Sequence, residues 1–463
     1  MDKAYSTYRI QVVSRERVRV DKRNSQNQSI SDEPPRNLRY QEKIELITGL
    51  VKKARDNQLN KAEPIKELGE ALFDLLFDDA GARDFINFYD EVVQQKKQFL
   101  RVELDIDEEI MPELAALPWE FMSLPARFNR EIWLATDPHV IFSRHRALLT
   151  EPVVIQLGKD EKLRIALVVS APPGMEFDYQ PVVEVLQTLV KEQADLIELL
   201  PVLEQADRKS INEILALKPH IFHFIGHGQL EDEQGREVGQ LALVDRQLED
   251  AEWIDANEFS RLFAQHRPGI VVLQACEGGA LSASQAFAGV ASRVVQQNIS
   301  VVVAMQYLVR INIANKFTCR FYERLAEGYP VDIAAQQGRL AIALEPPHYK
   351  RRDFVTPVIF MRGQDGYLFQ RSEVDNEPEA SGERALLLAE LESIKGKNTP
   401  ITGIEGEELS EVDAIARLKN IETEGGSVHG IKVGKAEGSS LKTQMHLKKG
   451  ENTTVGGTHI NDA

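Results

Sequence analysis

The chain has 463 residues, 43% of them hydrophobic, a formal net charge of −17 and an isoelectric point near 5.2. The length predicts two or three domains with a sizeable core, and the acidic balance argues against nucleic-acid or anionic-membrane binding as the main task. Two cysteines far apart in sequence, a start without an apolar signal region and a longest apolar stretch (residues 299–309) too short to span a bilayer predict a soluble protein of the reducing cytoplasm, with no membrane span.

Residues 5–20 alternate weakly, with Tyr8, Ile10 and Val12 on one side, and read as a strand. Residues 21–37, with their Asn, Ser and Gln and with Pro34-Pro35, read as a polar linker. Three helices are expected next, from the spacing of Tyr40, Ile44, Ile47 and Val51, of Ile65, Leu68, Leu72 and Leu75, and of Phe85, Phe88 and Val92. A strand over residues 100–106 follows and opens a main domain over 100–370, set apart from an N-terminal strand and helical region of residues 1–99.

In the main domain strands and helices alternate at residues 163–170, 182–191, 196–202 and 210–217, which predicts a parallel sheet with right-handed crossovers. A buried strand over 299–305, helices over 311–326 and 331–344 and a last strand over 355–361 complete an α/β fold, a mostly parallel sheet flanked by helices. Residues 371–411 then hold 11 acidic residues against 4 basic ones, and two short helices are expected, over 382–395 and 407–419, in an acidic linker of residues 371–427. Residues 428–463 are different again, Gly-rich and β-prone. They read either as a disordered tail or as a homotypic β-arch motif in which identical strands stack across chains.

Two motifs carry the chemistry. His223-Phe224-Ile225-Gly226-His227-Gly228 and Gln274-Ala275-Cys276-Glu277-Gly278-Gly279 each follow a short β-branched or aromatic run and are broken by glycine, so His227 and Cys276 are expected at carboxyl ends of buried parallel strands. That edge of an open α/β sheet is where sites are built. The two residues are 49 positions apart, against about 50 for the caspase arrangement of a histidine before Gln-Ala-Cys-x-Gly. A cysteine nucleophile needs a base within hydrogen-bond reach, and the glycines let backbone N–H groups, those of Gly228 and Cys276, approach a developing oxyanion. His223, deeper on the same face of the strand, reads as a structural hydrogen-bonding group. Cys319, on a helix beside Phe317 and Phe321, reads as a structural thiol without metal-ligand spacing.

On these motifs, together with Leu117-Pro118-Trp119-Glu120, the run Val140-Ile141-Phe142-Ser143-Arg144, the strand at 163–170 and the helical Ala334-Ala335, the chain resembles the CHAT family of caspase-like cysteine peptidases, bacterial relatives of caspases and separases. The resemblance covers roughly residues 100–365. It implies a caspase-like fold and a His227–Cys276 dyad that cleaves a protein substrate without cofactor or metal. It also implies a setting in bacterial conflict or programmed death under an upstream sensor or adaptor, to which residues 428–463 could dock. Gln274 stands where metacaspases carry an aspartate, as it does in caspases. In the loop after the first strand, Glu176 or Asp178 would suit a pocket for basic side chains, Met175 and Phe177 an apolar one, and both remain open. No third catalytic member is assigned. The alternative function is a catalytically silent scaffold in a signalling complex.

Overall fold

The computed structural model describes all residues except 1–4, 33, 109, 146–153, 234–235, 276–280, 297–298, 308–309, 345–351, 363–365, 372–384, 393–394, 398–400, 411, 425–426, 438–439, 452–453 and 461–463, and beyond residue 371 it describes backbone alone. Internal contacts divide the chain into two units, Met1–Asp375 and Asn376–Ala463.

The first unit is built on a 12-stranded sheet. Ile197–Leu199, Leu163–Val169, Ile221–Gly226, Ile270–Ala275 and Val301–Met305 lie side by side in that order, all parallel. Pro357–Met361 joins antiparallel, and beyond it Val140–His145, Phe99–Ile106 and Tyr5–Ser14 run parallel to it. The strands of the middle are continuous apolar runs because both faces are covered, as parallel sheets require. On one face Ile221, Ile225, Val272 and Val303 meet Leu186, Phe317 and Tyr322 of the helices Gln180–Glu192 and Ile311–Ala326. On the other Phe222, Phe224, Val271 and Leu273 meet Phe259, Phe263, Phe287 and Val290. Each such side chain contributes about 1.5–3 kcal/mol on burial.

The order of strands departs from the order of the chain at one place that matters. After Leu163–Val169 the chain moves outward to Ile197–Leu199 and then returns to the opposite side for Ile221–Gly226. This is a topological switch point, the place where the loops leaving two adjacent strands diverge and open a crevice. Directly after Ile221–Gly226 the chain enters a separate antiparallel sheet of three strands, Gly228–Glu233, Arg236–Asp245 and Asp250–Asp255.

The Leu-Pro-Trp-Glu segment and the 140–144 run meet in the interior. Arg144 clamps the carboxylate of Glu120 through Nε at 3.0 Å and Nη2 at 2.6 Å, and Gln306 Nε2 donates to the same carboxylate at 2.9 Å. Glu120 is 0% exposed. Burial pushes its pKa up, yet the charge and hydrogen bonds of Arg144 outweigh that and hold it below the ordinary glutamate value. Arg144 also donates to the carbonyls of Ala115 and Leu117, so this motif is a buried structural tie rather than part of a site.

Several sequence expectations need correction. Residues 21–37 are not a linker: Arg17–Arg23 pairs with Tyr5–Ser14, and Ser29–Asp32 and Arg36–Asn37 pair with Arg17–Arg23 in turn. Ser29–Asp32 and Arg36–Asn37 lie at the edge of the sheet, where strands carry polar and charged residues that a buried strand could not. Tyr5–Ser14 is in parallel register with Phe99–Ile106, so the N-terminal region and the main domain share one sheet. The two helices expected over 382–395 and 407–419 are strands, Ala385–Glu392, Ile401–Ser410 and Val412–Glu424. Leu, Ala and Glu favour helix locally, and non-local pairing overrides that preference.

The second unit is two parallel sheets with one shared period. Ala385 faces Val412, Lys395 faces Glu422, Asp413 faces Ser440, Ile401 faces Val428 and Ser427 faces Thr454. Every one of these partners lies 27 residues further along, and the offset slips only at a bulge where Ile421 faces Leu447. A constant offset in both sheets means that the chain coils, one turn per period, as in a solenoid. The same period runs through the sequence: Gly403, Gly430 and Gly457, or Ile401, Val428 and Val455.

Candidate active site

Gly226 ends its strand where the backbone is crowded. A Cβ there would meet the Phe224 ring at 2.9 Å and the Ser170 carbonyl at 3.1 Å, so only glycine lets the strand end so close to its neighbour. Ser170 in turn donates its N–H to Ile225 at 2.9 Å, locking the ends of the two strands on either side of the switch point. On the other side Gly226 is the register partner of Ala275.

His227 follows at once, half-buried. Its Nε2 lies 2.6 Å from the carbonyl oxygen of Met175. A carbonyl only accepts, so Nε2 carries the proton, and in the neutral ring Nδ1 is the basic nitrogen. The Phe177 ring stands edge-on to the imidazole, centroids 5.3 Å apart at 80°. Burial pushes the pKa of His227 below its ordinary value, partly opposed by the bond to Met175, so the ring is neutral at neutral pH and able to accept a proton.

Local sequence explains how Met175 reaches this position. Pro172-Pro173-Gly174-Met175 is a tight turn closed by the Met175 N–H on the Pro172 carbonyl at 2.9 Å, with Gly174 at φ 77°. Proline and then glycine at the two central positions are what a type II turn demands. The sequence carried that turn signal. It carried no sign that a main-chain carbonyl would orient the imidazole, because every residue has one.

The remaining candidates sit as follows. Gln274 is buried, its Oε1 3.2 Å from His223 Nε2. His223 is 0% exposed, and the Tyr322 hydroxyl meets its Nδ1 at 3.0 Å. Burial lowers the pKa of His223 to about 4, so it is a neutral internal tie between the strands and the helix Ile311–Ala326. Glu176 and Asp178 are exposed and bonded within their own loop, Glu176 to the Gly174 N–H at 3.0 Å and Asp178 to the Gln180 N–H at 3.1 Å. Gly228 opens the three-stranded sheet opposite Leu241, and the His227 carbonyl accepts from Ala242 at 3.0 Å. Cys276, Gly278 and Gly279 lie outside the described residues. Cys319 has its thiol pKa raised by burial and then by Glu192 and Glu323, the opposite of an activated nucleophile. Among the described residues no group of three or more His, Cys, Asp or Glu could hold a metal ion, and no helix is long and apolar enough to cross a membrane.

The CHAT domain model matches residues 66–397, well over half of the chain. The chain belongs to the CHAT-domain family. This is a family of caspase-like cysteine peptidases, and the α/β architecture with its mainly parallel, helix-flanked sheet agrees with that membership. None of the curated proteins matches the chain. Among solved structures it is similar to the Saccharomyces cerevisiae separase–securin complex, with 11% identity over 78% of this chain and a TM-score of 0.44, and it spans only 30% of that separase-complex chain. It is also similar to the pro- and mature-domain complex of RgpB from Porphyromonas gingivalis, with 12% identity, 71% of this chain and 77% of that one covered and a TM-score of 0.37. The CHAT match begins in the second N-terminal helix, Ala62–Leu76, and not at the expected boundary of residue 100.

Proposed function

We propose that this CHAT domain is a cysteine endopeptidase in which Cys276 is the nucleophile and His227 its general base. The observation that carries the reading is the register of the two motif strands: Gly226 and Ala275 are partners, and the next residues in the chain are His227 and Cys276. In this reading Nδ1 of His227, basic because Nε2–H is committed to Met175, takes the thiol proton as Sγ attacks the scissile carbonyl carbon. The N–H groups of Gly228 and Cys276 stabilise the resulting oxyanion. The protonated imidazole then gives its proton to the leaving amine, and a thioester remains. Water, deprotonated by the same nitrogen, hydrolyses the thioester and restores the thiol. The Met175 carbonyl fills the orienting role of a third member.

The substrate is a protein. We assign its approach to the crevice at the switch point, beside the 172–179 loop, where Glu176 and Asp178 are exposed and available to a basic side chain. Gln274, buried and bonded to His223, supports the strand end beside this pocket. The family resemblance supports a bacterial conflict or programmed-death setting in a reducing cytoplasm, with an upstream sensor or adaptor engaging residues 428–463.

A peptide carrying a thiol-reactive carbonyl warhead tests the chemistry. It should label Cys276 and spare Cys319, and His227→Ala should slow labelling by about 10²-fold or more. Equal, slow labelling of both cysteines would reject the protease and favour the silent scaffold.

A further inference from the structure

We infer that the solenoid, from the strand Ala385–Glu392 to the strand Thr454–Ile460, stacks end to end on a second copy of this chain, the third turn of one copy pairing with the first turn of the next. Among the described residues no strand pairs with the outer edge of Ala385–Glu392 or Ile401–Ser410 at one end, nor with that of Ser440–Glu451 or Thr454–Ile460 at the other. Open parallel edges are templates for another strand. The third turn keeps the period, with Val455 and Gly457 in the columns of Ile401 and Gly403, so its edge is of the same kind as the one on which the second turn pairs.

Charge selects the partner. Between the first and second turns, acidic positions face basic ones: Glu390 and Arg417, Glu392 and Lys419, Glu405 and Lys432, Glu408 and Lys435. Opposite charges at facing positions stabilise a pairing and like charges oppose it. The first turn, residues 385–411, holds six acidic and two basic residues, whereas the third, residues 439–463, holds two acidic and three basic ones together with His446 and His459. First turns therefore repel one another, and a first turn fits on a third. Continued for one more period, the register sets Ile401 of the next copy opposite Val455, Lys397 opposite Glu451, Glu392 opposite His446 and Glu405 opposite His459, with one like-charged pair among the described residues, Lys395 opposite Lys449. Such head-to-tail contacts do not close on themselves, so the product is an open series of copies.

Sedimentation velocity of the full chain over a range of concentrations tests this. The account predicts species that grow with concentration. His446→Glu/Lys448→Glu/His459→Glu makes the third turn acidic, sets glutamates opposite Glu392 and Glu405 of the next copy, and should weaken association by about tenfold or more. About 0.5 M salt, which shortens the screening length to a few ångströms, should restore association in that variant, and so separates repulsion between the ends from a misfolded tail. A parent chain that stays monomeric throughout, a triple variant that assembles like the parent, or one that stays monomeric in high salt would each overturn the inference.

Discussion

The two units of this chain hold strands together in different ways. In Met1–Asp375 neighbouring strands come from distant parts of the sequence, as when Phe99–Ile106 lies beside Tyr5–Ser14, and helices cover both faces. In Asn376–Ala463 each strand pairs with the one a fixed 27 residues away, and among the described residues no strand pairs with the outer edges of the stack. The first arrangement creates a unique place, the switch point, where His227 directly follows the end of the strand Ile221–Gly226. The second creates no unique place, only a repeated edge. In the proposals above, chemistry belongs to the former and association to the latter.

That division can be broken by experiment. The largest effect on the sheet unit should come from the buried Glu120–Arg144 tie. Glu120→Ala leaves Arg144 buried without its carboxylate, and breaking a buried pair on one side costs about 3–5 kcal/mol. Urea unfolding should show that loss, while the concentration dependence of association stays as in the parent. A variant that loses association along with stability would join two properties that the division keeps apart.

A comparable but pH-dependent effect belongs to the buried histidines. In the unfolded chain a histidine titrates near 6.5, whereas His223 titrates at about 4 because of burial. Between those values the unfolded chain binds the extra proton, so stability falls as pH drops from about 6.5 to about 4 and is unaffected by this group above that window. The gap, at about 1.4 kcal/mol for each pH unit, is worth about 3 kcal/mol. His220, lowered to about 4 by burial and then by the charge of Arg164, adds a loss of the same sign. Unfolding measured at pH 7.5 and pH 4.5 should show that His223→Asn, although less stable at the higher pH, loses distinctly less than the parent on acidification. An unchanged loss would refute a neutral His223.

Much of this was legible in the sequence, for identifiable reasons. The three N-terminal helices, and those at Ile311–Ala326 and Val331–Ala343, follow from apolar spacing: Tyr40–Arg55 and Ile311–Ala326 bury one stripe, while Ala62–Leu76 and Val331–Ala343 are buried on most sides. The strand ending at Gly226 follows from an apolar run broken by glycine. His223 was read as structural, and its bonds to Gln274 and Tyr322 give that role a physical form. The strand order was not legible, because register between distant segments leaves no local mark, and with it the switch point and the Met175 carbonyl stayed hidden. The solenoid was missed for the opposite reason. Its signal is a period of three copies with only a few columns kept, while runs such as Leu386-Leu387-Leu388-Ala389-Glu390 speak locally for helix.

The most direct test of the central claim is the rate at which the full chain cleaves a fluorescence-quenched peptide library, compared across three variants that keep the parent's unfolding midpoint. The account predicts a loss of about 10⁴-fold or more for Cys276→Ala, about 10²–10⁴-fold for His227→Ala and about 10²–10³-fold for Gly228→Val. Cleavage by folded Cys276→Ala at a rate near the parent's would contradict it.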